Sequence, residues 1–548
     1  MAFDPVLLAP RLDEMTRKGF WRGRTVLDDF ERNLANTPER TALIAYSLTD
    51  NSRTALSYRE LGRRVDAIAG LLVSLGVGKD DVVSYQLPNW WQFVAIHLAA
   101  LKIGAVTNPM MPIFRQRELT FMIGHGEAKV VFIPKVYRNF DYEQMFEGMR
   151  ADLPTVRQVV VIGGAGANSF DALVSPFMDK PVPAEALKGR LAANDVMEIL
   201  YTSGTTGEPK GVMHTSNTLF SNLDPYAERL HLSDKDVVLM ASPMAHQTGF
   251  MYGLMMPIAL GCTAVLQDIW DAAKAAEIIE REGVTFTMAS TPFLADLTNA
   301  AEKNPASFRS LRIFLAAGAP IPRVLVRNAT EHLGAKIVSA WGMTENGAVT
   351  VTKLDSAPEK VFETDGCCLP GMEARILRAD DSVAYVNEEG RLQVRGCSNF
   401  VGYLKRPQWN ATDAEGWFET GDLARIDADG YVRITGRSKD IIIRGGENIP
   451  VVEIEGLVYR YPGIAEVAIV AMPDERLGER ACAFVVPKAN AEDALSLKAI
   501  ADFLKQQNVA TNYLPERLEV VKELPKTPSG KIQKFRLRET AKTLKPEG

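Results

Sequence analysis

Residues 196–211 read VMEILYTSGTTGEPKG, an apolar run followed at once by a stretch dense in Thr, Ser and Gly, with one Pro and one Lys. Backbone amides freed by glycine, small hydroxyls and a single ammonium are what a phosphate chain needs around it, and a buried strand would deliver them at its end. The stretch is not a Walker A loop. That motif needs G-x-x-x-x-G-K-[ST], whereas Lys210 follows Pro209, and neither Gly78–Lys79 nor Gly530–Lys531 has a glycine five residues before its own.

Outward from this point the chain alternates. The segment 57–77 has apolar residues at helical spacing and ends at Gly; 81–89 reads as a strand closed by Pro; 91–104 is the next helix. Buried strands are predicted at 129–134 and 156–164, and the alternation continues through 236–244, 262–267, a helix at 272–283, 284–290 and 311–320. Such a sequence predicts an α/β protein with parallel sheets covered by helices. Near residue 366 the pattern changes to short strands with Gly/Asn/Asp turns, as in a small β-barrel or distorted antiparallel sheet, closed by a hairpin arm at 427–437. After Lys439 a compact α+β unit of roughly a hundred residues follows. The expected division is a large N-terminal domain over 1–436, a hinge at 437–440 and a smaller mobile domain over 441–548.

The 548 residues exceed what one core serves, and 46% hydrophobic with 24% charged residues is an ordinary globular balance. A net charge of −6 without a Lys/Arg block disfavours nucleic acid. Five cysteines without CxxC spacing read as reduced thiols of a cytoplasmic protein. The N-terminus lacks a signal-peptide pattern, and the apolar runs 93–106 and 249–261 are too short and too interrupted to span a bilayer, so they are read as core.

The stretch YTSGTTGEPKGV resembles the phosphate-binding signature of the AMP-forming acyl-CoA synthetases, in the adenylate-forming superfamily. The resemblance extends through SPMAHQTG (242–249), AAGAP (316–320), WGMTE (341–345), YLKRPQWN (403–410), GWFETGDLA (416–424), GRSKDIIIRGGENI (436–449) and PKTPSGKIQK (525–534). It implies a two-step reaction with ATP, Mg²⁺ and coenzyme A. A carboxylate is a poor acyl donor, so its oxygen first attacks the α-phosphate of ATP and expels pyrophosphate; a thiol then takes the acyl group from AMP.

The resemblance assigns the β- and γ-phosphates to Thr202, Ser203, Gly204, Thr205, Thr206, Gly207 and Lys210. Thr344 falls to the α-phosphate and Glu345 to Mg²⁺, a hard cation that prefers oxygen ligands. Trp341 would stack on adenine, with Gly342 and Met343 beside it and Gly318, Ala319 and Pro320 on the other side. Asp422 would accept from both ribose hydroxyls and Arg437 would lie at the ribose or phosphate. Lys531 is implied as the catalytic lysine of adenylation, Lys439 as the hinge on which the small domain turns, and Gly445, Gly446 and Glu447 as the wall of the pantetheine channel. PKTPSGK also resembles the segment that bacterial acetyltransferases modify, which makes Lys531 an acetylation site and a lysine acetyltransferase and deacetylase expected partners; acetylation would remove the charge that adenylation needs.

For the acid, family position puts His246 near the carboxylate, with Gly249, Phe250, Met251, Ala316, Ala317, Gly318, Trp341, Gly342, Met343 and Val349 as pocket walls. None of these walls is a Lys or Arg, which points to a neutral, apolar monocarboxylate. The N-terminal wording and WGMTENGAVT resemble bacterial cyclohexanecarboxylate–CoA ligases and related short- or medium-chain fatty acyl-CoA synthetases, so an alicyclic acid is expected first. An adenylation protein that loads a carrier-protein thiol, a luciferase-like oxygenase and a non-catalytic nucleotide sensor remain as alternatives on the same scaffold.

Overall fold

In the computed structural model the described residues are 3–202, 209–318, 323–437, 442–444, 447–449, 451–474, 477–489, 491, 495–507, 509, 511–527 and 530–547. Two large sheets dominate them. The first has nine strands in the spatial order Cys367–Cys368, Gly347–Val351, Lys336–Met343, Ile313–Ala317, Phe286–Ala289, Val237–Met240, Thr263–Gln267, Thr41–Ser47 and Ser52–Ser57. Its middle pairings are parallel and both edges antiparallel. The second has seven, in the order Gly402–Tyr403, Lys210–Thr215, Val196–Thr202, Val106–Pro109, Val82–Tyr85, Ala128–Pro134 and Gln158–Ile162.

Helices form where the sequence supplies both a stripe and a stop. Helix Tyr58–Ser74 opens with a capping box, Ser57 and Glu60 each bonding the other's backbone N–H. Helix Ala272–Glu282 starts on the Asp271 cap and ends at Gly283 in the left-handed conformation. Helix Trp91–Lys102 is buried on nearly every side, from Phe93 to Leu101, which accounts for an apolar run that needs no membrane. No described helix is long and apolar enough to cross one.

The largest core lies between the two sheets, joining Val83, Val130 and Phe132 of the second to Val238, Met240 and Leu315 of the first. The outer face of the first sheet packs Leu239, Val265 and Phe314 against Ile278, Leu294 and Val326 of covering helices. The section expected as a small barrel or distorted sheet is a four-stranded antiparallel sheet, ordered Met372–Leu377, Gly390–Gly396, Phe418–Ile426 and Val432–Arg437. The last sheet holds Glu447–Ile449, Ile442–Arg444, Gly478–Pro487, Ile464–Asp474 and Arg517–Val520, with helices Val451–Val458 and Leu497–Gln506 on its own core. The five cysteines are free thiols.

Candidate active site

Parallel strands leave their functional groups at their carboxyl ends, because the following loops gather there. In the first sheet Ala316 lies beside Ser339 and Ala317 beside Ala340, so Gly318 and Trp341 leave neighbouring strand ends side by side. His246 follows strand Val237–Met240, and Ser290 follows strand Phe286–Ala289. The motifs at 242–249, 316–318 and 341–345 thus share one edge.

WGMTE ends as a tight hairpin. Met343 faces Gly347 and Gly342 faces Ala348, while Asn346 Oδ1 accepts from Met343 N at 3.0 Å. A Cβ on Gly342 would stand 1.8 Å from the Gly347 carbonyl oxygen, so only glycine allows the strands to close here. The hairpin tip carries Thr344 and Glu345 and is held from behind. His214 Nε2 donates to the Thr344 carbonyl at 2.8 Å, and its Nδ1 lies 3.0 Å from the Thr218 hydroxyl. A carbonyl can only accept, so Nε2 carries the proton; burial pushes the imidazole down to about 4 and keeps it neutral.

Glu345 is 5% exposed. The Tyr403 hydroxyl donates to its Oε1 at 2.7 Å, and its backbone carbonyl accepts from Phe400 N. Among the described residues no group of three or more His, Cys, Asp or Glu could cage a metal ion. One buried carboxylate fits a hard divalent cation that arrives with phosphate oxygens and water, as Mg²⁺ does, rather than a resident metal.

Trp341 Nε1 donates to Asp422 Oδ2 at 2.9 Å, and Asp422 stands opposite Arg437 across the hairpin of the third sheet. Trp341 of the first sheet thereby meets the hairpin of the third sheet at Asp422. Thr202 and Lys210 are also paired, as the ends of adjacent antiparallel strands. The Lys210 ammonium lies over Tyr403 at 4.8 Å and Trp409 at 5.5 Å from the ring centroids.

His246 caps the short helical turn Gln247–Gly249, accepting from Thr248 N through Nδ1 at 3.3 Å. Burial, with a contribution from the Lys531 ammonium, holds its imidazole at about 4. A Cβ on Gly249 would stand 2.3 Å from the Pro243 carbonyl oxygen, which presses this turn onto the SPM segment. It continues into a π-helix, Phe250–Met255, whose six residues are buried; such turns recur at functional sites. Phe250 and Met251 belong to the core between the sheets with Ala348, and Ala317 packs on it. Val349 is completely buried and packs instead with Val212, Trp341 and Met343 beneath the third sheet, so the strand separates it from Phe250 and Met251.

Lys531 sits in a turn in which its backbone N–H donates to Thr527 Oγ1 at 3.0 Å and its carbonyl accepts from Thr527 N at 2.7 Å. The turn lies on the same edge as the motifs above: a Cβ on Gly530 would stand 2.9 Å from Ser290 Oγ and 3.5 Å from Pro292. Ser203, Gly204, Thr205, Thr206, Gly207, Ala319, Pro320, Lys439, Gly445 and Gly446 lie outside the described residues, as do the side chains of Arg437 and Glu447.

Sequence reading missed His214 and Tyr403 as members of the site. His214 comes only three residues after the KG of the loop, where a histidine inside a buried strand was a usable signal. Tyr403 stands first in the quoted YLKRPQWN, but its partner 58 residues away had no local trace.

A family model described as AMP-binding enzyme matches residues 30–404, and a model of the AMP-binding enzyme C-terminal domain matches 453–531. The chain is 35% identical to a medium-chain fatty-acid–CoA ligase of Escherichia coli (strain K12), covering 95% of this chain and 91% of that one. It is 34% identical to a salicylyl-CoA synthase / salicylate adenylyltransferase of Streptomyces sp, covering 97% and 96%. Among solved structures, ATP-bound MatB from Rhodopseudomonas palustris is 26% identical, covers 95% of this chain and 99% of that one, and superposes with a TM-score of 0.83; apo MatB from the same organism gives 0.73.

Proposed function

Because the chain belongs to the AMP-binding enzyme family and is an AMP-forming acid–thiol ligase that uses ATP, Mg²⁺ and coenzyme A, we propose that its substrate is an apolar monocarboxylic acid, with cyclohexanecarboxylate or a similar alicyclic acid first. The observation that carries this reading is the π-helix FMYGLM beside His246, buried throughout and without a charged side chain. An aromatic or medium-chain fatty acid is the second reading, favoured by what the relatives' names say of those proteins.

In this reading the acid enters over Gly249 and Met251 with its carboxylate near His246, which is held neutral and offers a dipole rather than a charge. Glu345 would hold the Mg²⁺ that accompanies the polyphosphate, a cation that would neutralise phosphate charge when bound. Trp341 and Asp422, already bonded to each other, take the adenine and the ribose, with Arg437 beside them, while Thr202, Lys210 and the loop after Thr202 take the β- and γ-phosphates. Lys531 bridges the carboxylate and the α-phosphate while the new oxygen–phosphorus bond forms and pyrophosphate leaves. Its place on the edge shared with His246 and Ser290 supports that role. The small domain then turns at Lys439, bringing Gly445, Gly446 and Glu447 to the pantetheine arm, and the thiol attacks the carbonyl as AMP leaves. We place this chemistry in the cytoplasm, with Lys531 open to acetylation.

Pyrophosphate release in the presence of coenzyme A, measured over C4–C12 fatty, aromatic and alicyclic acids, tests the substrate. The expected result is the highest kcat/KM for cyclohexanecarboxylate; a higher value for benzoate or for an open-chain acid such as octanoate would contradict the ring preference. Preference for a carrier-protein thiol over coenzyme A would contradict the proposed acceptor.

A further inference from the structure

The two groups assigned above to the polyphosphate end of ATP, Lys210 and Glu345, are touched by one side chain. Val212 stands opposite Tyr403 in the second sheet. Lys210, two residues earlier on the same face, is therefore its diagonal neighbour, within reach of a long or aromatic side chain. The ring of Tyr403 takes the ammonium at 4.8 Å, and its hydroxyl donates to Glu345 Oε1 at 2.7 Å. Tyr403 is 4% exposed and Glu345 5%, so the bond to the carboxylate is made out of water, where it is strengthened, while the ammonium of the half-buried Lys210 lies over the ring. Trp409, in the turn Pro407–Trp409, gives the ammonium a second face at 5.5 Å. Asn410 Oδ1 accepts from Tyr403 N at 2.9 Å and ties that turn to the strand.

We infer that Tyr403 is a positioning residue of the nucleotide site: its hydroxyl fixes the Glu345 carboxylate for the metal, and its face, with that of Trp409, seats Lys210 for the phosphates. This rests on the assignment of Lys210 and Glu345 under the proposed function. A carboxylate has about four lone-pair sites, so one bond accepted from the phenol orients it and leaves room for a cation. Loss of such an outer bond weakens metal binding without removing a ligand. The two contacts use different parts of one side chain, so they are separable: Phe keeps the face and loses the hydroxyl, and Leu loses both.

The test is calorimetric and involves no turnover. AMP and α,β-methylene-ATP are titrated into the full chain, the latter in EDTA and in Mg²⁺. The wild-type chain gives two factors: the gain from Mg²⁺, and the preference for the triphosphate over AMP in EDTA. Tyr403→Phe is expected to cut the Mg²⁺ gain by about tenfold, with AMP affinity and the triphosphate preference unchanged. Trp409→Leu is expected to lower only the triphosphate preference, by about two- to fivefold, and Tyr403→Leu to lower both factors. A full Mg²⁺ gain in Tyr403→Phe, or parallel loss of AMP binding, overturns the assignment; so does an unchanged triphosphate preference in Trp409→Leu. Failure of the underlying reading looks different: the wild-type chain itself then shows neither factor.

Discussion

Glu198 is completely buried in the second sheet, and neither of its carboxylate oxygens has a partner among the described residues. Burial raises its pKa well above the usual range, so the folded chain keeps a proton that the unfolded chain gives up. That contribution is complete below the ordinary glutamate pKa and is lost as pH rises from about 4.5 towards the folded value, at about 1.4 kcal/mol per pH unit. Glu198→Gln removes it: the variant is expected to gain stability on the wild type by more at pH 8 than at pH 5 in urea unfolding, and an equal difference at both would contradict a buried neutral acid. The buried histidines act in the opposite sense. Burial depresses His97 to about 3 and His214 to about 4, so stability is lost as pH falls below about 6.5, where the unfolded chain takes up protons first. Because His214 holds the Thr344 carbonyl, His214→Ala is expected to weaken adenylation as well as the fold, seen as a lower kcat in pyrophosphate exchange at temperatures where the variant remains folded.

Among the elements, the hairpin of Lys336–Met343 and Gly347–Val351 is the piece on which the site depends. Gly342→Ala puts a methyl within 1.8 Å of the Gly347 carbonyl oxygen. The expected cost is about 2–3 kcal/mol, with loss of nucleotide affinity beyond that of Gly436→Ala, a position where a Cβ meets nothing within 4 Å. The regular elements were legible because each carries its own period and stop: helices 57–77, 91–104 and 272–283 and the strands between them stand within a few residues of their expected places. The π-helix Phe250–Met255 was not, since its register depends on how Gly249 packs under Pro243 and not on a repeat in its own residues. The same holds for the partition of Val349 from Phe250 and Met251, which is decided by which face of a strand meets which sheet. Tyr403 and His214 escaped for a related reason, because their partners in the tip at 344–345 are brought by strand pairings that no local pattern announces.

For the whole molecule, the order of motifs gave the family but not the geometry that links its ends. Lys531 stands beside the edge holding His246 and Ser290. Under the proposed function the decisive charge of adenylation comes from Lys531, a residue far along the chain from the phosphate loop. In the proposed function Lys531 serves adenylation and not thiol transfer. That role is tested most directly by measuring Lys531→Ala separately in acid-dependent ATP–pyrophosphate exchange and in thioester formation from a supplied acyl-adenylate with coenzyme A. Exchange is expected to fall by about 10²–10³-fold while thioester formation stays within about threefold of wild type; equal losses in both, or full retention of exchange, would rule out that role for Lys531.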